Sequence, residues 1–182
     1  PGNAERPNRH EARKSAVSRP RGRHFLGFSI RPNQRQGRLE LDVSERTKER
    51  IRARIRELTP RTWGNSLRAR ILRINPYLRG WAEYFGVAFW VGGLTRYVDA
   101  HLRRRLRALL LHHWRTARTI RGQLRRLGAP SEHVRKTGKS SSPWRQSQST
   151  AVSMGLRNEH FERWGLLSLE ALCADRFARG LP

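Results

Sequence analysis

Histidines, carboxylates and the cysteine are the first residues of this sequence to consider for catalytic chemistry. His112 and His113 are adjacent, and Asn158 and His160 follow them, which is the residue content of a His-Asn-His nuclease. Adjacent residues on a helix point about 100° apart, so the two histidines do not easily ligate one metal ion. Short motifs of this kind also arise by chance. We therefore interpret His113 as a core histidine and predict no nuclease site.

The carboxylates give no support for polymerase chemistry in this chain. That chemistry needs clustered carboxylates to hold two metal ions, and none of Asp42, Asp99 and Asp175 has a second aspartate beside it. Cys173 is the only cysteine, which excludes an intrachain disulfide and a cysteine-built zinc site. We predict that the chain is not an enzyme by itself and holds no catalytic metal.

Arginine is the residue type that dominates the binding chemistry of the chain. Lys and Arg total 39 against 14 Asp and Glu, which gives a formal net charge of +25. A chain this basic repels itself, and a polyanion is its natural partner. Arginine offers a planar fork of donors that fits phosphate and can stack on exposed bases. A GC-rich genome would explain arginine in place of lysine, but it does not explain the net charge.

The longest predicted helix, from about Leu94 to Trp114, concentrates this charge on one face. Its face carries Arg96, Arg103, Arg104 and Arg107. Like charges at this spacing repel each other by roughly a few tenths of a kcal/mol per pair. A solvated helix face usually carries both signs, but Asp99 is the only acid in this helix. The pattern favours an RNA-facing surface over a merely solvated one.

Further RNA contacts are predicted on both sides of this helix. The basic side chains that we expect to contribute are Arg50, Arg54, Arg79, Arg118, Arg121, Arg125, Lys136, Lys139 and Arg145. Trp144 stands in a polar segment beside Arg145, where it could either stack on an unpaired base or attach the segment to the core. The sequence does not decide between these two roles. Trp90 is another possible stacking platform, although core packing is favoured for it.

Helices are the main elements that must position these residues. The periodicity of apolar residues predicts helices at 45–58, 67–74, 76–85, 94–114, 119–127, 151–161 and 168–179, with the helix at 151–161 interrupted by Gly155. The Asn75-Pro76 pair reads as a helix start and separates the second helix from the third. Residues 129–150 are rich in polar and helix-breaking residues and predict a loop.

The first part of the chain has a different character. Phe25–Ile30 and Arg38–Val43 predict a β-hairpin, and Leu39, Leu41 and Val43 alternate onto one of its faces. An isolated hairpin is marginally stable in water, so this one should pack on the helices that follow. Residues 1–23 have no apolar periodicity and predict a flexible basic arm. We therefore expect a mainly α protein with a short β-hairpin near its start.

Several short segments occur in an order and spacing that point to a known family. They are Glu57-Leu-Thr59, Trp63-Gly-Asn-Ser-Leu67, Asn75-Pro-Tyr-Leu-Arg-Gly-Trp-Ala-Glu-Tyr-Phe85, Leu102-Arg-Arg-Arg-Leu106 and Trp114. Together they resemble the maturase-specific region of group II intron-encoded reverse transcriptases, which spans the polymerase thumb and the X domain. Pro143-Trp144-Arg145 is similar to the family's Gly-Pro-Trp-Arg segment, with Ser142 in place of the glycine. Gly165–Leu169 resembles the family's closing motif.

The resemblance implies a division of the chain into four parts. These are a flexible basic arm at 1–23, a β-hairpin from the end of a palm-like region at 24–43, a three-helix thumb-like bundle at 44–93 and a helical X domain at 94–182. Phe25-Leu-Gly-Phe28 is similar to the last strand motif of the palm, whereas the paired-aspartate loop of the family's polymerase site is absent.

The resemblance also implies a function. The chain would bind structured group II intron RNA and assist its folding and splicing, with the intron as the ribozyme. No cofactor of its own is implied, because Mg²⁺ would come with the bound RNA or with a separate palm domain. DNA targets, RNA–DNA duplexes and a palm or fingers segment are further possible partners.

Two alternatives stay open at this point. The chain could be a fragment of a split or truncated reverse transcriptase that needs a separate palm, and the absence of an initiating methionine at Pro1 agrees with a fragment or processed product. It could also be a general basic nucleic-acid-binding protein or RNA chaperone. No apolar run reaches membrane-spanning length and no secretory signal is present, so we expect an intracellular protein, in the bacterial cytoplasm or in an organelle.

Overall fold

The computed structural model describes residues 24–34, 36–60, 64, 66–88 and 91–180. The predicted arm at 1–23, Trp63 of the family motifs and Trp90 lie outside these residues. The described elements are β1 (His24–Phe25), β2 (Phe28–Asn33), β3 (Arg38–Val43), α1 (Glu45–Leu58), α2 (Leu67–Phe85), α3 (Gly92–His113), α4 (Ala117–Arg126), α5 (Ser131–Arg135), α6 (Pro143–Gln146), α7 (Thr150–Gly155), α8 (Asn158–Arg163) and α9 (Leu169–Gly180). The predicted mainly α fold with a hairpin at its start is confirmed.

The predicted hairpin is present as part of a three-stranded antiparallel sheet with the order β1-β2-β3. A two-residue turn joins β1 to β2, and both of its residues, Leu26 and Gly27, have positive φ angles of 49° and 87°. The turn lies tightly against α1, where the Thr47 hydroxyl donates to the Gly27 carbonyl at 2.9 Å. A Cβ at Gly27 would come within 2.9 Å of that hydroxyl, so both the φ angle and the close contact favour glycine.

Only one end of the sheet packs on the helices. Phe28 lies opposite Val43 in the β2–β3 register and stacks on Tyr84 of α2, with a ring-centroid distance of 5.6 Å. Farther along β3, Leu39 and Leu41 are 55% and 44% exposed. The expectation that the hairpin packs on the following helices therefore holds for the Phe28–Val43 end, while the apolar face of the other end is left uncovered.

The predicted break at Asn75-Pro76 is wrong, because α2 continues through it. Proline inside a helix removes one hydrogen bond and costs about 3 kcal/mol, but Pro76 is on the exposed side, where water can reach the carbonyl of Leu72. Ile74 before the proline and Leu78 after it are both fully buried in the core. Burying such a side chain contributes roughly 1.5–3 kcal/mol, so keeping one apolar stripe on both sides offsets the lost bond. The predicted three-helix bundle thus has two helices, α1 and α2.

Asn75 does not cap a helix but joins two distant segments. Its side-chain amide donates to the Gly165 carbonyl at 2.7 Å and accepts from the Leu167 backbone amide at 3.2 Å. Both bonds hold the turn that precedes α9. The sequence predicted that Asn75 caps the helix at its own position. In the structure its side chain instead bonds to residues 165 and 167, some 90 residues away along the chain.

The predicted loop over 129–150 is also corrected, because it contains the short helices α5 and α6. Val134 of α5 is completely buried, and α6 begins with Pro143 after Ser142, whose hydroxyl accepts from the Arg145 amide at 3.4 Å. Proline at the first position of a helix loses no hydrogen bond. Helices of four or five residues are too short to show a period of 3.6, so periodicity could not reveal them.

The long helix α3 lies at the centre of the fold and packs against α1, α2, α6 and α9. Leu102 and Leu106 on α3 are fully buried, as the predicted stripe required. The predicted helix caps at Ser44 and Ser66 are present, with each hydroxyl accepting from a backbone amide three residues later at 3.3 Å. No helix among the described residues has the length and apolar composition needed to cross a membrane.

A buried carboxylate on α3 fixes the start of the C-terminal helix. Asp99, only 3% exposed, accepts from the Ser168 hydroxyl at 2.7 Å and from the Leu169 and Glu170 amides at 2.9 and 3.2 Å. The first amides of a helix have no partner within the helix, and a negative charge there is favourable. Asp99 therefore acts as a cap supplied from another helix, and it holds α9 against α3.

We predict that Asp99→Ala lowers the free energy of unfolding by about 2–4 kcal/mol, because buried donors lose their acceptor. Asp99→Asn keeps one acceptor oxygen and should lose less. Asp175→Ala is the matched control, since it removes an exposed acid of α9 that pairs with Arg179, and it should cost less than about 1 kcal/mol. Urea unfolding followed by circular dichroism measures the differences. Equal losses for Asp99→Ala and Asp175→Ala would contradict this role.

Candidate nucleic-acid interface

The arginines of α3 have different environments, although the sequence grouped them on one face. Arg104 turns toward α6, where its guanidinium carbon lies 3.7 Å from the centre of the Trp144 ring. Trp144 is half-buried, and its ring meets His101 edge-on with a centroid distance of 5.8 Å. Of the two roles left open for Trp144, packing of its segment against the core is thus present in the structure.

Arg107 is bound to a backbone carbonyl inside the protein. Its Nε and Nη2 atoms donate to the Leu156 carbonyl oxygen at 2.9 and 2.7 Å. That carbonyl follows the end of α7, where unpaired carbonyls favour a cation. Burial lowers the pKa of Arg107, and the positive charge of Arg103 lowers it further. Arg107 therefore attaches residues 155–161 to α3, whatever it contributes to an external partner.

Two other arginines perform the same task elsewhere. Arg105 of α3 donates to the Thr59 carbonyl at 2.5 Å and also to the Thr59 hydroxyl, which ties α3 to the end of α1. Arg121 of α4 donates to the Thr137 carbonyl at 2.7 Å and holds the segment after α5. Sequence reading assigned Arg121 to RNA contact and did not single out Arg105. The Leu-Arg-Arg-Arg-Leu motif does not predict which of its three arginines bonds to a carbonyl.

The remaining predicted contact residues fall into two groups. Three of them pair with acids: Arg54 with Glu57 at 2.8 Å, Arg96 with Glu170 at 3.6 Å and Lys136 with Glu132 at 3.6 Å. The ion pairs of the described residues do not include the others, which are the exposed Arg50, Arg79, Arg118, Arg125, Lys139 and Arg145 and the half-buried Arg103. This second group presents positive charge outward without an internal counter-charge.

A cleft beside α3 brings two of the predicted residues together. It has a volume of about 430 Å³ and lies between α3 and residues 147–153, with Arg104 and Arg107 in its wall. Tyr97 and His101 line the same cleft, and their rings stack with a centroid distance of 5.9 Å and an interplanar angle of 9°. The Arg52 guanidinium of α1 lies 5.2 Å from the centre of the Tyr97 ring. Sequence analysis identified neither Tyr97, His101 nor Arg52.

The positive charge of the cleft comes from its arginines and not from its histidine. Burial, followed by the charges of Arg105, Arg56 and Arg104, lowers the pKa of His101 below its ordinary value. His101 is therefore neutral at physiological pH, and arginine supplies the positive charge of the cleft. Within the described part of the chain, His, Cys, Asp and Glu side chains form no group of three or more that could hold a metal ion.

These observations define a mainly helical, strongly basic protein with an arginine-rich central helix. Residues 48–128 match the family model of the group II intron, maturase-specific domain. The match covers just under half of the chain, runs from α1 to the end of α4, and includes all of α3. The resemblance inferred from the motifs is confirmed over this range, and the matched domain indicates a maturase-related function. A comparison with the curated proteins finds no match to the chain.

We predict that Arg107→Ala lowers the free energy of unfolding by about 1–3 kcal/mol, because the Leu156 carbonyl loses both of its charged donors. Arg103→Ala is the matched control, since Arg103 lies one turn away on α3 and makes no ion pair among the described residues. It should change stability by less than about 0.5 kcal/mol. Thermal and urea unfolding would measure both variants. If the two variants are equally stable, the Arg107–Leu156 hydrogen bonds do not contribute to the stability of the fold.

Proposed function

We propose that this chain binds structured group II intron RNA and helps that RNA reach its splicing-active fold, as the C-terminal part of an intron-encoded reverse transcriptase. The match to the maturase-specific domain supports the choice of RNA. The observation that carries the proposal is the outward positive charge of the matched region, where Arg50, Arg79, Arg103, Arg118 and Arg125 have no part in the ion pairs of the described residues.

Binding follows from this charge by a simple physical route. Each arginine that neutralises a phosphate releases counterions condensed on the RNA, and this release favours the complex. A protein that binds the active RNA fold more tightly than other folds shifts the population toward the active one. The chain then contributes binding and preorganisation, while the intron supplies the reacting groups and Mg²⁺ accompanies the RNA. The complex forms inside the cell, where intron transcripts are made.

One observation favours a second candidate function, in which the chain is a fragment of a split reverse transcriptase. The apolar side of the sheet leaves Leu39 and Leu41 uncovered, and Phe25 of β1 and Leu26 of the following turn are also exposed. A separate palm segment would bury this surface, with RNA–DNA duplex or target DNA as a further partner. A palm-encoding reading frame upstream, inside a group II intron, would distinguish this candidate from a general basic chaperone.

We predict that Arg103→Ala weakens binding to intron RNA and flattens the slope of log affinity against log salt by about 0.7–0.9, the value expected for one phosphate contact. Arg179→Ala is the matched control, because Arg179 is an exposed arginine that pairs with Glu83 and Asp175, and it should leave the slope unchanged. Fluorescence anisotropy at increasing salt measures both. An unchanged slope for Arg103→Ala would mean that this part of α3 is solvated surface.

We also predict that the protein raises the fraction of a group II intron transcript that splices at limiting Mg²⁺, because binding stabilises the active fold. An unrelated self-cleaving RNA under the same conditions serves as the control and should gain little. The spliced products are measured on denaturing gels over a protein titration. Tight binding to the intron without any gain in splicing would contradict the maturase assignment. Equal gains for both RNAs would indicate a general chaperone.

A further inference from the structure

Arg104 differs from its neighbours on α3 in the hydrogen bonding of its guanidinium group. Arg105 and Arg107 donate to backbone carbonyls, whereas the Nε atom of Arg104 is buried with no hydrogen-bond partner among the described residues. The Nε atom of Arg52, whose guanidinium lies 5.2 Å from the centre of the Tyr97 ring, is buried without a partner in the same way. Such groups are uncommon in folded proteins and call for an explanation. Within the described part of the chain, two arginines with an unpartnered Nε thus contact one aromatic cluster, Arg52 at Tyr97 and Arg104 at Trp144.

Tyr97 is the open member of that cluster. It lines the cleft and is 50% exposed, while Trp144 is packed against Arg104 and His101. Tyr97 stacks parallel to the neutral His101 ring, and half of the Tyr97 side chain is open to the outside. Exposed aromatic side chains bind nucleobases by stacking, with little dependence on the base.

The size and lining of the cleft match a small anionic ligand. Its volume of about 430 Å³ is within the range of about 300–1,000 Å³ that is usual for small-molecule sites. No carboxylate of the described residues lines it, which disfavours a cation, and Gln148 and Ser153 on the opposite wall offer an amide and a hydroxyl. Groups of this kind bond to base edges and to the 2′-hydroxyl of ribose.

We propose that the cleft between α3 and residues 147–153 binds one unpaired nucleotide of the RNA, with its base on Tyr97 and its phosphate at Arg104. This inference rests on the proposed RNA-binding function and adds to it a site for an unstacked nucleotide. A base within a duplex is paired and stacked, so it cannot lie on Tyr97. The ligand is therefore a nucleotide extruded from a helix, as at a bulge. Trp144 supports the site from behind by holding Arg104.

The test compares two RNA hairpins that differ only in one bulged 2-aminopurine nucleotide. The wild-type protein should bind the bulged hairpin more tightly than the paired one and should quench the fluorescence of the 2-aminopurine, since stacking quenches it. Tyr97→Ala should weaken binding to the bulged hairpin by about 5- to 100-fold and abolish the quenching, with an unchanged salt slope. Its affinity for the paired hairpin should stay the same. Tyr97→Phe keeps the ring and should retain both signals.

The outcomes separate this inference from the proposed function. If the wild type binds both hairpins equally and Tyr97→Ala changes neither affinity nor fluorescence, the nucleotide site is excluded while RNA binding stands. If the wild type binds neither hairpin nor intron RNA, both proposals fail. Circular dichroism of Tyr97→Ala serves as the folding control. Because Tyr97 is exposed, its truncation should leave the fold intact, and equal weakening for both hairpins would also overturn the site.

Discussion

The capping of α9 by Asp99 is the interaction on which the rest of the described structure depends. One carboxylate receives a hydroxyl and two backbone amides from residues 168–170, and it does so from the middle of the central helix. Asn75 holds the preceding turn from α2, so α9 is fixed to both long helices at its start. Leu169 and Cys173 are buried as a result. Burial, with a smaller effect from the charge of Asp99, raises the pKa of Cys173 to about 12, which keeps its thiol protonated.

A second constraint is the excess of positive charge, which the protein accommodates with backbone dipoles. Arg105, Arg107 and Arg121 donate to carbonyls at the ends of short segments, and the buried Arg70 donates to the Pro60 carbonyl at 2.7 Å. Carbonyls at the end of a helix or turn carry partial negative charge and otherwise lack a partner. Arginine therefore joins segments of the fold without using an acid. The net charge of +25 is retained, and with it the attraction for a polyanion.

The same helix thus serves both the fold and the proposed interface. Arg105 and Arg107 connect α3 to its neighbours, Arg104 closes on Trp144 beside the cleft, and Arg103 has no ion pair among the described residues. Rigid placement of donors lowers the entropic cost of binding, because the side chains are already ordered before a partner binds. A helix held in this way can present charge to a polyanion without reorganising the core.

The sequence by itself determined the local features of this protein. Ser44 and Ser66 marked helix starts and apolar periodicity marked α1, α3 and α4, because each of these signals lies within a few turns of one element. The order and spacing of the motifs from Glu57 to Trp114 indicated the maturase-specific domain, because both can be read directly along the chain. The tertiary structure decided what depends on distant neighbours. Helix α2 continues through Pro76 because a continuous helix buries the apolar side chains on both sides of the proline. Leu39 and Leu41 are exposed because the helices cover only one end of the sheet. Spacing placed Arg104 and Arg107 on one helix. Only the packing of residues 143–161 showed that Arg107 binds a carbonyl, while the Nε atom of Arg104 has no partner among the described residues. Periodicity carries no information about which segment lies opposite.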